Sequence, residues 1–154
     1  MSAPNKLLSP EETAELAAKN WKAGYYCAES VLAAVATSQG IESELIPKIA
    51  SAFCSGLAQT NGPCGAMTGG VMGLSLCEGR MDARDGREKL YQKTQRLVDS
   101  FSGQFGDTYC TKLLQLQLGT REASQEYAAR NLSVQCEDYV REAARMAVEL
   151  IQEG

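Results

Sequence analysis

The spacing of apolar residues constrains the fold of this chain more than any other feature of its sequence. Apolar side chains recur at intervals of three and four positions along most of the 154 residues, and no segment alternates as a half-buried strand does. That interval is typical of amphipathic α-helices. The sequence therefore predicts an all-α fold: a compact bundle of about six to eight helices forming a single domain over 1–154.

Capping and turn residues predict where these helices begin and end. Ser9, Pro10 and Glu12 form the pattern of a capping box, so a first helix should begin at Pro10 and end near Lys22. Further helices are predicted at about 26–40, 44–58, 64–77, 86–103, 109–118, 121–131 and 134–152.

The predicted helix 64–77 is rich in glycine, with Gly65, Gly69, Gly70 and Gly73 among small and apolar residues. Each interior glycine costs a helix about 1 kcal/mol relative to alanine, so four of them need a reason. A helix without side chains on one face lets another helix, a ligand or a second subunit approach its backbone. We therefore expect this helix to lie at the centre of the bundle, with a homodimer contact as an alternative.

Charge and hydropathy argue against two classes of partner. The net charge is -4 and no cluster of Lys or Arg is present, which disfavours nucleic acid. No run of about 18 apolar residues occurs, and Met1 to Pro10 lack the basic-then-apolar build of a signal peptide. The sequence predicts a cytoplasmic protein that does not insert into membranes.

The chain has six cysteines and no histidine. Without histidine, a Cys–His nucleophile, a Ser–His–Asp triad and an imidazole metal site are all excluded. Six cysteines are unusual in a cytoplasmic chain, where thiols stay reduced and rarely form structural bridges. Any chemistry must therefore use thiols, carboxylates, tyrosines or backbone groups. The tyrosines, however, are predicted to pack with their hydroxyls at the surface.

Four of the cysteines fall at predicted helix starts, where free N–H groups and the helix dipole favour an anion. This placement should lower a thiol pKa and make the thiol reactive. The same four thiolates would also suit zinc, copper(I) or an iron–sulfur cluster, although no standard metal-binding spacing is present. Cys54 and Cys77 are predicted to be core residues. The cysteines at helix starts are Cys27, Cys64, Cys110 and Cys136.

The segment Cys64 to Gly69, CGAMTG, resembles the CGAxxG signature of the redox-active protein family C_GCAxxG_C_C. That family has one cysteine before the motif and two after it, which here would be Cys27, Cys110 and Cys136. The resemblance covers about 25–152. The family label puts glycine before cysteine, whereas in this chain glycine follows Cys64.

The resemblance implies thiol redox chemistry without a settled substrate. The leading hypothesis makes Cys64 the attacking thiolate, with Cys27, Cys110 or Cys136 resolving the mixed disulfide formed with a redox partner or small molecule. One alternative is a carrier of zinc or an iron–sulfur cluster bound by the same four cysteines. Another is a partner-binding helical domain whose cysteines are inert.

Overall fold

The structure, a computed structural model, describes residues 7–154. Over that range the chain is helical and has no strand, which confirms the all-α prediction. The prediction that Met1 to Pro10 do not form a signal peptide lies largely outside the described residues. The helical elements are α1 (Pro10–Lys22), α2 (Cys27–Ser38), a 3₁₀ helix (Lys48–Phe53), α3 (Cys54–Gln59), α4 (Gly65–Glu78), α5 (Glu88–Phe105), α6 (Cys110–Leu114), α7 (Arg121–Ala129) and α8 (Leu132–Gln152).

The start of α1 confirms the predicted capping box. The hydroxyl of Ser9 accepts a hydrogen bond from the N–H of Glu12 at 3.0 Å, and the Glu12 carboxylate accepts one from the N–H of Ser9 at 3.2 Å. Two otherwise unpaired donors at the helix start are thereby satisfied. The helix begins and ends at the predicted residues, Pro10 and Lys22.

The helix predicted at 44–58 is wrong. The structure has a turn, then the 3₁₀ helix, and then α3, whose backbone winds in the left-handed sense: φ is 58° at Ser55, 64° at Gly56 and 59° at Leu57. Pro47 has no N–H to donate to a preceding turn, and Gly56 favours positive φ. For residues other than glycine the left-handed conformation costs about 1–2 kcal/mol each, so α3 is a strained segment.

The later helices agree with the prediction apart from their ends. Helix α5 begins at Glu88, two residues after the predicted start. Helix α6 stops at Leu114 rather than near Leu118, because Gln115 adopts a left-handed conformation with φ of 50°. Helix α8 begins at Leu132, two residues before the predicted start.

Helix α4 lies at the centre of the bundle, as its glycines predicted, and packs against α2, α5 and α8. A Cβ added to Gly69 would lie 2.8 Å from the carbonyl oxygen of Ala28, and one added to Gly73 would lie 2.7 Å from a methyl group of Val35. Ala28 and Val35 both belong to α2. The glycines therefore admit a helix of the same chain, and their face is covered rather than open to a second copy.

The main core lies where α1, α2, α4, α5 and α8 meet, and it contains fully buried Val31, Leu74, Leu97 and Phe101. This packing fixes the first turns of α2 and α4 next to each other. Cys27 begins α2, and Cys64 immediately precedes α4. In the range 7–154, no helix is both long enough and apolar enough to cross a membrane.

Candidate functional site

A cavity of about 380 Å³ brings together all four cysteines predicted from the helix starts and the family pattern. They reach it from α2, the start of α4, α6 and α8. The other lining side chains are aromatic, aliphatic, hydroxyl or amide groups, including Trp21, and none of the described lining residues is charged. Residues that are distant in sequence therefore converge on one uncharged cavity.

A short backbone bridge places Cys64 and Cys110 side by side. Pro63 and Tyr109 form an isolated antiparallel bridge. The N–H of Cys64 donates to the carbonyl of Thr108 at 2.7 Å, and the N–H of Cys110 donates to the carbonyl of the residue before Pro63 at 3.1 Å. Since Cys64 caps α4 and Cys110 is the first residue of α6, the two helices begin from adjacent points.

Burial outweighs the helix start in setting the pKa of these two thiols. Cys64 is 5% exposed and Cys110 is 8% exposed. Burial raises the pKa of Cys64 to about 12, although the N–H groups of Met67 and Ala66 act in the opposite direction. Burial and then the charge on Cys136 raise the pKa of Cys110 to about 11. The expectation that a helix start lowers these thiol pKa values is wrong, because a buried thiolate loses its solvation.

Cys136 also differs from the prediction in its position. It is the fifth residue of α8, so it lies one turn inside the helix rather than in the first turn. Burial raises its pKa, and a hydrogen bond from the Tyr127 hydroxyl to its Sγ, 3.3 Å long, acts to lower it.

Two tyrosines lie at the cavity rather than at the surface. Tyr127 is half-buried and lines the cavity, and Tyr139, which also lines it, is 6% exposed. The prediction of surface hydroxyls is therefore wrong for both tyrosines.

Cys27 has a different environment from the other three cysteines. It is the first residue of α2 and is half-buried. Its Sγ accepts a hydrogen bond from the N–H of Ser55 at 3.5 Å, so the strained α3 segment directs a backbone donor at this sulfur. Sequence reasoning did not find Ser55, because nothing in the local pattern indicates a left-handed segment.

Cys54 lies next to Cys27. It is 5% exposed, which confirms its predicted core position, and its thiol donates to the carbonyl of Ala50 at 3.6 Å. Its hydrogen-bonding contact with Cys27, followed by burial, raises the pKa of Cys54. Cys77 is elsewhere, half-buried at the end of α4, where burial and then the charge of Glu78 raise its pKa. Of the two cysteines predicted as core, Cys54 is thus also part of the candidate site.

The glycine after Cys64 has a steric role. A Cβ added to Gly65 would collide with the Sγ of Cys27, and would lie 2.8 Å from the carbonyl oxygen of Phe53 and 3.2 Å from the Cα of Cys54. No side chain fits at this position without displacing one of those groups. The order Cys64-Gly65, which departs from the family label, therefore leaves room for Cys27 and Cys54 to approach each other.

The metal alternative requires at least three ligands around one point. Within the described part of the chain, no group of three or more Cys, Asp or Glu side chains is placed to hold a metal ion. The four cysteines face a shared cavity but do not form a ligand cluster. The arrangement thus does not fit zinc or an iron–sulfur cluster.

A comparison with protein families finds one match. The model of a family described as "Putative redox-active protein (C_GCAxxG_C_C)" matches residues 25–150. Neither the curated proteins nor the solved structures include a match. The matched range contains all four cysteines that line the cavity.

Proposed function

We propose a function from the premise that this chain belongs to the C_GCAxxG_C_C family. The proposed activity is thiol–disulfide redox chemistry on a small molecule that enters the cavity. One observation carries the proposal: Cys27, Cys64, Cys110 and Cys136, which lie on separate elements of the chain, line the same cavity. If the four cysteines were inert core residues, they would not be expected to line the same cavity.

The proposed reaction transfers two electrons. A protein thiolate attacks one sulfur of a substrate disulfide, forming a mixed disulfide and releasing the first substrate thiolate. A second protein thiol then attacks the bridged protein sulfur and releases the second substrate thiolate. The substrate gains two electrons and the two protons of the protein thiols, while the protein gains one disulfide. The reverse reaction would oxidise a substrate dithiol.

Cys27 is better suited than Cys64 to make the first attack. The thiolate is the attacking species, and burial raises the pKa of Cys64 to about 12, so Cys64 is a neutral thiol near pH 7. Cys27 is half-buried, begins a helix and accepts an N–H hydrogen bond. We therefore assign the attack to Cys27. Cys64, Cys110 and Cys136 then act as protonated thiols that donate hydrogen bonds to substrate.

The lining of the cavity argues for an uncharged substrate. A volume of about 380 Å³ lies in the range of small-molecule sites. Because none of the described side chains that line the cavity carries a charge, a charged substrate would lose its solvation without gaining a partner. Trp21, Leu113 and Leu118 offer apolar contacts instead. The proposed substrate class is a small, uncharged, largely apolar disulfide or dithiol.

The test compares two small disulfides of similar size, uncharged 2-hydroxyethyl disulfide and anionic dithiodiglycolate. The reduced protein should reduce the uncharged compound at least about tenfold faster, and Cys27→Ser should abolish this reduction. Cys77→Ser is the matched control, since Cys77 is half-buried and does not line the cavity. Equal rates for wild type and Cys27→Ser would overturn the proposal.

A further inference from the structure

We propose that Cys54, which lies outside the family's cysteine pattern, is the resolving thiol of Cys27, so that the redox couple of this chain is a Cys27–Cys54 disulfide. This inference rests on the proposed function and identifies the second cysteine of its reaction. Neither the predicted core role of Cys54 nor the family signature assigns it any chemistry.

Proximity is the first observation that carries the inference. A Cβ added to Gly65 would contact both the Sγ of Cys27 and the Cα of Cys54, the latter at 3.2 Å. The N–H of Ser55, the residue bonded to Cys54, lies 3.5 Å from the Sγ of Cys27. The two cysteines also pack in the same small apolar cluster with Ala28 and Ala50. A disulfide requires two cysteines that are immediate neighbours, with Cα atoms about 4–7 Å apart, and these contacts place both residues around one point.

The difference between the surroundings of the two thiols is the second observation. The Sγ of Cys54 donates to the carbonyl of Ala50 at 3.6 Å, and contact with Cys27 and then burial raise its pKa, so Cys54 keeps its proton. The Sγ of Cys27, in contrast, accepts a hydrogen bond from the N–H of Ser55 at 3.5 Å. The pair therefore has the asymmetry of an attacking and a resolving thiol.

The strained backbone of α3 is the third observation. Cys54 itself is extended, with φ of -70° and ψ of 157°, and the left-handed run begins at the next residue. This change of direction turns the N–H of Ser55 towards the Sγ of Cys27. Strained backbone persists where the surrounding structure holds it, and it is concentrated at functional sites.

The Cys27 thiolate attacks a disulfide R–S–S–R, the substrate S–S bond breaks, and RS⁻ leaves. The Cys54 thiol gives its proton to RS⁻ and its sulfur attacks the sulfur of Cys27, breaking the bond to the second RS group. That second RS⁻ takes up the proton that Cys27 released to water. Two protein thiols are oxidised to one disulfide and one R–S–S–R is reduced to two RSH.

The experiment maps the disulfide directly. The full chain is reduced, treated with 2-hydroxyethyl disulfide, unfolded in the presence of N-ethylmaleimide, and digested with chymotrypsin for mass spectrometry. Cleavage after Leu57 separates Cys54 from Cys64, so the two candidate partners of Cys27 give different cross-linked peptides. The expected product is a Cys27–Cys54 cross-link. Because this result comes from the wild-type chain, it does not depend on a variant that folds.

Variants then test the role of Cys54. In Cys54→Ala, the adduct of Cys27 with one half of the probe should accumulate, and repeated turnover should fall at least about tenfold, whereas Cys77→Ala should behave like wild type. A cross-link from Cys27 to Cys64, Cys110 or Cys136 would overturn the inference while leaving the proposed function in place. No probe reduction and no cross-link at all would overturn both.

Discussion

The two walls of the cavity hold the same type of side chain in different surroundings. One wall, here called the pair wall, consists of Cys27 and Ser55, with Cys54 packed against Cys27 outside the lining of the cavity. The other, the buried wall, consists of Cys64, Cys110, Cys136 and Tyr127. The pair wall offers a backbone N–H and a neighbouring thiol to a half-buried sulfur. On the buried wall, loss of solvation raises the pKa of all three thiols, which favours their protonated form.

The comparison shows that a helix start alone does not make a cysteine reactive. Cys27 and Cys64 both lie at helix starts, and N–H groups of α4 act to lower the pKa of Cys64. Burial nevertheless outweighs them at Cys64, because the loss of solvation disfavours the thiolate more than the N–H groups favour it. Access to solvent and a specific donor decide which thiol can attack.

The largest expected difference between the walls is in alkylation rate. With its pKa near 12, Cys64 should have about 10³-fold less thiolate than an ordinary cysteine at about pH 8, so N-ethylmaleimide should modify it correspondingly slowly. The rate should keep rising about tenfold per pH unit through about pH 11, since the fraction of thiolate grows until the raised pKa is reached. Site-resolved mass spectrometry measures each cysteine.

The control for this measurement is the chain unfolded in guanidinium chloride, where all six cysteines should react alike. If Cys64 in the folded chain were modified as fast as in the unfolded chain at about pH 8, burial would not control its protonation and the distinction between the walls would fail.

An intermediate effect is expected where the pair wall meets the start of α4. Gly65→Ala introduces a Cβ that collides with Cys27 and crowds Phe53 and Cys54, so it should lower the free energy of unfolding by about 1–3 kcal/mol and reduce the Cys27–Cys54 cross-link. Chemical denaturation and the disulfide map measure these two effects.

The matched control is Gly103→Ala. Gly103 lies in α5 and a Cβ there meets nothing within 4 Å, so this substitution should leave the cross-link unchanged and stabilise the chain by up to about 1 kcal/mol. Equal losses of stability in the two variants, with the cross-link intact in both, would contradict the steric role of Gly65.

The smallest effect is expected on the buried wall. Tyr127→Phe removes the hydrogen bond to Cys136, which acts to lower the pKa of that thiol. The pKa of Cys136 should rise and its alkylation should slow by about fivefold, the value of one hydrogen bond of about 1 kcal/mol. Tyr91→Phe, at an exposed tyrosine on α5, should change nothing at Cys136. Faster alkylation of Cys136 in Tyr127→Phe would show that the hydroxyl shields the sulfur rather than stabilising its thiolate.

Much of the fold could be predicted from local sequence. The capping box at Ser9 defines α1, and the glycines of α4 predict its central position, because both effects act over one or two turns. The segment 44–58 could not be predicted in this way. Its left-handed backbone at Ser55 and Leu57 is disfavoured locally and is held by the surrounding structure.

Part of the candidate site could also be predicted from the sequence, and part depends on the whole fold. The four patterned cysteines could be named from the family resemblance, and they do share one cavity. Their pKa values could not be predicted, because burial is a property of the whole fold. The contacts of Cys54 with Cys27 and of Tyr127 with Cys136 join different elements, and no spacing rule in the sequence indicates them.

The bridge between Pro63 and Tyr109 has a consequence for the order in which the site assembles during synthesis. The whole of α4 and α5 lies between its two halves, so the bridge closes a long loop and cannot form until Tyr109 has been translated. Cys27, Cys54 and Cys64 emerge from the ribosome before that point, and Cys136 emerges after it. The cavity that Cys27, Cys64, Cys110 and Cys136 share is therefore completed only when most of the chain has been translated.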